Sequence, residues 1–167
     1  MRPLFWFMEG KILDTAAQRL IRYWASQGYT VKPGALEQTL ATFELKYKVR
    51  LPTDLREYFA KYGGFEGRGN WDSLLITFWP IQDVVRLSDV DGEYALPHGL
   101  GMSCSFFVFG DYSIESHLYE IRLTMDPAAS CPVVAHEGRY VFGDSFSAFV
   151  DVYLSNPILV ASPPIPV

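Results

Sequence analysis

Cysteine and histidine are scarce in this 167-residue chain, which contains two cysteines and three histidines. Cys104 and Cys131 lie far apart in the sequence, and neither belongs to a Cys-x-x-Cys pair, so we expect two free thiols. The histidine and cysteine spacings match no metal-ligand pattern, and no structural metal site is predicted. Long apolar runs are also missing, since none approaches the roughly 20 residues that a transmembrane helix needs.

The chain has no excess of positive charge. Its 14 Lys and Arg residues are outnumbered by 19 Asp and Glu residues, which gives a formal net charge of −5 at pH 7. This balance argues against direct binding to nucleic acid, which needs a basic surface. It is compatible with a basic protein partner, although many proteins are mildly acidic for solubility alone. The apolar stretch Leu4–Met8 is too short for the core of a signal peptide, so a cytoplasmic location is expected.

Apolar residues are plentiful, at 49% of the chain, and in its first third they recur with helical spacing. Asp14 is placed to cap a first helix that Gly28 would close. The segment Leu36–Tyr47 has the pattern of a second helix, with apolar residues on one face. At this length one domain with a sizeable core is expected.

A third helix is predicted after the Leu-Pro step at residue 52. Pro52 suits the first turn of a helix, where its missing N–H leaves no unpaired donor. Leu55, Phe59 and Tyr62 would share one face, so we predict that Phe59 is buried. Gly63 and Gly64 follow, and either glycine can adopt the left-handed conformation in which helices commonly end.

Strand patterns dominate the second half of the chain. The predicted strands are Leu74–Trp79, Phe106–Phe109, Tyr119–Leu123, Pro132–His136 and Arg139–Phe142. In Tyr119–Leu123 apolar residues alternate with Glu120 and Arg122, which predicts a half-buried strand. The last two strands flank Glu137-Gly138, a predicted hairpin turn.

A final helix is predicted after Asp144 or Ser145, either of which could cap it, and Pro157 is expected to end it. Helices followed by a mainly antiparallel sheet and a C-terminal helix predict an α+β fold. We predict a single domain over residues 1–156 and a proline-rich C-terminal tail over residues 157–167.

Two segments resemble catalytic or cofactor-binding motifs. Gly143-Asp144-Ser145 is similar to the serine motif of some esterases, but such an enzyme needs a histidine and a carboxylate, and no histidine follows Ser145. The glycine-rich segment 63–69 lacks the Gly-Lys-Ser/Thr ending of a phosphate-binding loop. Cys104 could act as a nucleophile only with a histidine nearby in space, and a buried thiol is the simpler interpretation. We therefore predict no catalytic, cofactor-binding or metal-binding residues.

Aromatic and acidic residues in the middle of the chain are candidates for binding a partner, because aromatic side chains beside carboxylates are effective interface anchors. The candidate residues are Trp71, Asp72, Asp89, Asp91, Glu93 and Tyr94. In the alternative interpretation Trp71 and the nearby Trp79 belong to the core, and the acidic residues only keep a loop hydrated.

The order of several short motifs resembles one family. The motifs are Glu44, Leu51-Pro52, Asp54, Tyr58-Phe59, Gly63-Gly64, Phe109-Gly110-Asp111-Tyr112, Tyr119-x-Ile121 and Ser145-Phe146-x-x-Phe149. Together they resemble the SUKH superfamily, which includes bacterial toxin-immunity proteins and fungal cell-wall-assembly regulators. The chain departs from the family pattern at Tyr47-Lys48, where Leu-Gly is usual, and at Gly63, where asparagine is common. The acidic segment before Phe106 is also long.

The resemblance implies an α+β domain without enzymatic activity or a cofactor. It implies an immunity protein that neutralises a cognate bacterial polymorphic toxin, often a nuclease and hence a basic protein. The alternative is a regulatory or scaffold binding module of the cell-wall-assembly regulator type. The family has no invariant functional residue that can be assigned to a position in this chain.

Overall fold

The computed structural model describes residues 14–67, 71–90, 105–126, 128–136 and 138–164. Its helices are α1 (Ala16–Ser26), α2 (Glu37–Tyr47), α3 (Thr53–Lys61), α4 (Phe146–Ser155) and α5 (Pro157–Ala161). Its strands are β1 (Ile76–Phe78), β2 (Val85–Arg86), β3 (Ser105–Tyr112), β4 (His117–Leu123), β5 (Val133–Ala135) and β6 (Tyr140–Gly143). The predicted α+β class is therefore confirmed. No helix within these ranges is long and apolar enough to cross a membrane.

The six strands form one antiparallel sheet in the order β1-β3-β4-β5-β6, and β2 also pairs with β3. Strand β3 is the centre of this arrangement, because β4 pairs along its length while β1 and β2 share its other edge. Gly110 in β3 lies where β1 passes closely. A Cβ at this position would come within 2.6 Å of the Thr77 carbonyl oxygen, so only glycine fits without a backbone shift.

The main hydrophobic core lies between the helices and one face of the sheet. Aromatic side chains fill much of it, and Trp24 contacts the rings of Tyr62, Phe65 and Phe78 at centroid distances of 5.0 Å. Phe59 is 1% exposed, which confirms the prediction made from its position on α3. Large buried rings of this kind contribute most of the apolar area that stabilises such a domain.

A second apolar cluster covers the opposite face of the sheet. Its buried members are Leu87, Phe106, Val108, Leu118 and Val134. Strand β4 is consequently buried on both faces, and even Glu120 is only 1% exposed. The prediction of a half-buried strand was wrong, since the alternation of residue types correctly separates the two faces but does not reveal that both are covered.

The helix ends differ in detail from the sequence-based expectation. Thr15, not Asp14, caps α1, in a reciprocal capping box with Gln18. Pro52 is itself the cap residue of α3, just before the first helical residue. Gly63 follows the end of α3 and has no room for a side chain, because a Cβ there would collide with the Pro33 carbonyl oxygen.

The C-terminal part of the chain is packed against the core. Ser145 caps α4 as predicted, since its Oγ accepts a hydrogen bond from Ala148 N at 3.2 Å. α4 ends at Ser155, just before Pro157 as expected, but Pro157 then begins the short helix α5, at a position where proline is favoured. Val160 is buried and its carbonyl accepts a hydrogen bond from Tyr119 Oη at 2.8 Å. The first residues of the predicted tail are thus part of the folded structure.

Candidate partner-binding surface

Asp72, one of the predicted partner-binding residues, points into the protein and is 5% exposed. Its Oδ1 accepts hydrogen bonds from Leu74 N at 2.8 Å and Ile76 N at 3.0 Å, and its Oδ2 accepts one from Tyr153 Oη at 2.6 Å. A carboxylate that closes its own turn in this way has a structural role. The expectation that Asp72 contacts a partner is therefore corrected.

The Asp72 carboxylate ends a buried chain of hydrogen bonds. Trp24 Nε1 donates to Tyr153 Oη at 3.0 Å, and the Tyr153 hydroxyl donates to Asp72. Burial, followed by the charge of Asp72, raises the pKa of Tyr153. The phenol therefore stays protonated and keeps donating, and the chain links α1 and α4 to the loop before β1.

The loop that Asp72 organises presents apolar side chains at the surface. Trp71 is 47% exposed, and its backbone pairs with Thr77 along the outer edge of β1. Leu75 is also exposed, and the neighbouring turn between β3 and β4 places Ile114 outward with 87% of its surface exposed. We call Trp71, Leu75 and Ile114 the apolar rim. Exposed apolar side chains grouped in this way are typical of interaction sites.

The turn that carries Ile114 has an unusual backbone. Residues 113–115 all have positive φ angles, of 46°, 57° and 61°, although none is glycine. Such conformations cost free energy, on the order of 1 kcal/mol per residue. The turn is held by hydrogen bonds from Ser113 N to the Leu75 carbonyl at 2.9 Å and from Glu115 N to Asp111 Oδ1 at 3.1 Å.

A groove of about 510 Å³ lies beside the apolar rim, between β1, the end of β3 and the 3₁₀ turn Ile81–Asp83. Its polar lining includes three carboxylates, and none of the Lys and Arg residues that the structure describes lines it. We call it the acidic groove and define it by Thr77, Trp79, Gln82, Asp83, Asp111 and Glu115. The indole Nε1 of Trp79 donates a hydrogen bond of 2.7 Å to Asp111 Oδ2, which fixes both side chains.

The remaining predicted partner-binding residues are only partly described. Asp89 is exposed at the end of the 3₁₀ turn Leu87–Asp89. Asp91, Glu93 and Tyr94 lie outside the described residues. Of the six predicted residues, the structure thus places Trp71 on the apolar rim, Asp72 in the interior and Asp89 at the surface.

Sequence reasoning missed the acidic groove. Asp83, Asp111 and Glu115 are brought together by the pairing of β1 with β3, which no local pattern indicates. One signal was present, because Asp111 belongs to the Phe-Gly-Asp-Tyr motif that carried part of the family resemblance.

A second, larger groove of about 800 Å³ runs beside α2 and differs in its charge. Its acidic residues Glu37 and Glu44 both pair with Arg56, and Glu44 also accepts a hydrogen bond from Leu51 N at 2.8 Å. Lys48 and Arg50 line the same groove. Its charges are thus mixed and largely compensated, in contrast with those of the acidic groove.

The thiol of Cys131 and the imidazole of His117 have pKa values shifted by their surroundings. Burial, followed by the charge of Asp54, raises the pKa of the Cys131 thiol, whereas a nucleophilic cysteine needs a lowered value. Burial and the neighbouring His136 lower the pKa of His117 to about 4. Cys104 lies outside the described residues. Within the described ranges no group of three or more His, Cys, Asp or Glu residues could hold a metal ion.

Comparison with known proteins places these features in a family. The model of the SMI1/KNR4 family (SUKH-1) matches residues 34–152, which is more than two thirds of the chain. The chain belongs to the SMI1/KNR4 family. The SUKH resemblance is therefore confirmed, and members of this family are generally non-enzymatic binding domains. No curated protein and no solved structure matches the chain.

Two of the motif residues that carry the family resemblance, Glu44 and Asp54, have structural roles. Glu44 connects α2 to Leu51 and Arg56, as described above. Asp54 Oδ2 accepts hydrogen bonds of 2.8 Å from both N and Oγ of Ser147, which joins α3 to α4. Asp111 differs from these residues because its carboxylate lines a surface groove.

Proposed function

We propose that this chain is a non-enzymatic protein-binding domain that acts as an immunity protein and neutralises a cognate bacterial toxin in the cytoplasm. Membership of the SMI1/KNR4 family supports a binding role. The observation that carries the proposal is the juxtaposition of an exposed apolar rim and an acidic groove at one end of the sheet. Interfaces typically combine apolar anchors with a charged surround in this way.

The charge of this surface suits a basic partner. A toxin that cuts nucleic acid must present Lys and Arg residues to phosphates, and an inhibitor can cover those residues with carboxylates. The net charge of −5 adds long-range attraction to such a partner. We include Asp89, Asp91, Glu93 and Tyr94 in the proposed surface together with Trp71, because the first three add further negative charge.

The alternative is a regulatory or scaffold module of the cell-wall-assembly regulator type. Both functions need a protein partner, and they differ in what that partner does. An immunity protein abolishes the toxicity of its partner, whereas a regulatory module binds a protein that is not toxic.

We expect the gene next to that of this chain to encode the toxin, and the experiment uses the toxin domain of that protein. The two proteins are co-expressed, and growth is compared with that of cells expressing the toxin alone. We expect growth to be rescued and a complex to co-elute on gel filtration. Trp71→Ala should weaken binding by about tenfold or more, because exposed tryptophans at interfaces are frequent hot spots. The matched control is Ile158→Ala, which removes an exposed apolar side chain on α5.

The acidic stretch is tested separately by changing Asp89, Asp91 and Glu93 together to lysine. Association with the toxin should become slower at low salt, since steering by charge acts mainly on the association rate. An association rate within about twofold of the parent would exclude this stretch from the interface. Failure of the parent chain to bind or protect would refute the immunity function itself.

A further inference from the structure

We propose that the acidic groove receives an arginine side chain of the partner protein, with Trp79 as the aromatic wall against which its guanidinium stacks. This inference rests on the proposed function, because it names the contact through which the toxin would be recognised. It goes further by committing to one kind of side chain and to one place on the surface.

The groove carboxylates have no ion-pair partner among the described residues. Five other acidic residues of the described chain, namely Asp14, Glu37, Glu44, Glu57 and Asp151, form ion pairs with Arg or Lys. None of the ion pairs within the described ranges includes Asp83, Asp111 or Glu115. Three carboxylates that line one groove, with no basic side chain of the described residues between them, repel one another, and a cation from a partner relieves that repulsion.

The carboxylate of Asp111 is already held in place before a partner binds. It is 5% exposed, it lies on the central strand β3, and it accepts hydrogen bonds from Trp79 Nε1 and Glu115 N. Both donors are neutral, so they orient the carboxylate without cancelling its charge. A side chain that is fixed before binding loses little conformational entropy when the partner arrives.

The ring of Trp79 offers an aromatic face to a cation in the groove. Its ring is half-buried and lines the groove, while its Nε1 is held by Asp111. Tryptophan is the best aromatic acceptor of a cation–π contact, and arginine makes such contacts more often than lysine. The planar guanidinium can also bind a carboxylate with two parallel hydrogen bonds, which an ammonium group cannot do. A groove of about 510 Å³ falls within the usual size of ligand pockets, about 300–1,000 Å³.

The larger groove beside α2 does not meet these requirements. Its two glutamates are paired with Arg56, and Lys48 and Arg50 would repel an incoming arginine. Its exposed apolar residues Leu45 and Met125 offer no aromatic face. Charge complementarity therefore favours the acidic groove for a basic partner.

The first test uses a hexa-arginine peptide as the probe, with hexa-lysine for comparison, and follows the indole N–H signals by NMR. We expect saturable binding at low salt that shifts the Trp79 signal, with hexa-arginine binding at least about threefold more tightly than hexa-lysine. Trp24 provides an internal control, because its indole is buried and hydrogen-bonded to Tyr153. Binding that leaves the Trp79 signal unmoved, or equal affinity for both peptides, would overturn the proposal.

The second test reverses charge in the groove without touching buried Asp111. The variant Asp83→Lys/Glu115→Lys changes two exposed residues, and Glu66→Lys/Asp144→Lys makes the same charge change at exposed sites that do not line the groove. The groove variant should bind hexa-arginine and the toxin domain at least about tenfold more weakly than the control variant. An equal loss of affinity in the two variants would show that binding depends only on net charge, and this would contradict the proposal.

The outcomes separate this inference from the proposed function. If the toxin binds the parent and the groove variant equally well, the groove assignment is wrong while the immunity function stands. If the toxin does not bind the parent, the immunity function fails, and the peptide titration still decides whether the groove selects arginine.

Discussion

Removing the Asp72 carboxylate should be among the most damaging single changes in this protein. In Asp72→Ala three donors lose their acceptor: the amides of Leu74 and Ile76 and the hydroxyl of Tyr153. An unsatisfied buried donor costs about 1–3 kcal/mol, and entry of water into the vacated space would recover part of that cost. We therefore expect the free energy of unfolding to fall by about 3–5 kcal/mol.

Asp72→Asn separates the loss of charge from the loss of shape. The amide keeps one acceptor oxygen but replaces the other with an NH₂ donor, so one of the hydrogen bonds must be lost or reversed. The expected loss is about 1–3 kcal/mol, smaller than for alanine. Asp83→Ala is a suitable control, because it removes an exposed carboxylate and should change stability by less than about 0.5 kcal/mol.

Urea unfolding at pH 7, followed by tryptophan fluorescence, measures these differences. A double-mutant cycle with Tyr153→Phe isolates the bond between Tyr153 and Asp72, and we expect a coupling of at least about 1 kcal/mol. If Asp72→Ala loses less than about 1 kcal/mol, the buried network does not hold the loop before β1. The account of how Trp71 is presented would then be wrong.

Three further predictions concern the core, a helix cap and pH. Phe59→Ala should lower the free energy of unfolding by about 3–5 kcal/mol through lost burial and a cavity, and an unchanged urea midpoint would contradict this. Ser145→Ala should cost roughly 1 kcal/mol as a lost cap. The pure parent protein should show no esterase turnover. Turnover in the parent that disappears in Ser145→Ala would contradict the non-enzymatic interpretation. The pKa of His117 is lowered to about 4 in the folded protein. Because the ordinary pKa of histidine is about 6.5, the unfolded state binds a proton at this residue more readily than the folded state. The free energy of unfolding should therefore fall as the pH drops from about 6.5 towards 4. His117→Gln should flatten that part of the stability profile, and an equal slope in both proteins would exclude His117 as its source.

The sequence predicted what depends on local spacing. The face of α3 that contains Phe59 and the cap at Ser145 follow from residues within one or two turns of each other, and both were confirmed. The hairpin around residues 137–138 follows from a turn signal between two apolar runs, and β5 does pair with β6 as expected.

The sequence could not predict what depends on distant contacts. Asp72 looked like a surface residue because it lies beside a tryptophan, yet its partner Tyr153 is 81 positions away. Burial of β4 on both faces depends on the second apolar cluster, to which Leu87 and Val134 contribute from separate parts of the chain. The acidic groove likewise exists only because β1 pairs with the end of β3.

The most direct test of the central claim is a calorimetric titration of the purified chain with the toxin domain that we expect the neighbouring gene to encode. We predict a saturable complex of defined stoichiometry that weakens as salt is added and in which the toxin is inactive. Absence of binding at concentrations of about 10 μM, or binding that leaves the toxin fully active, would contradict it.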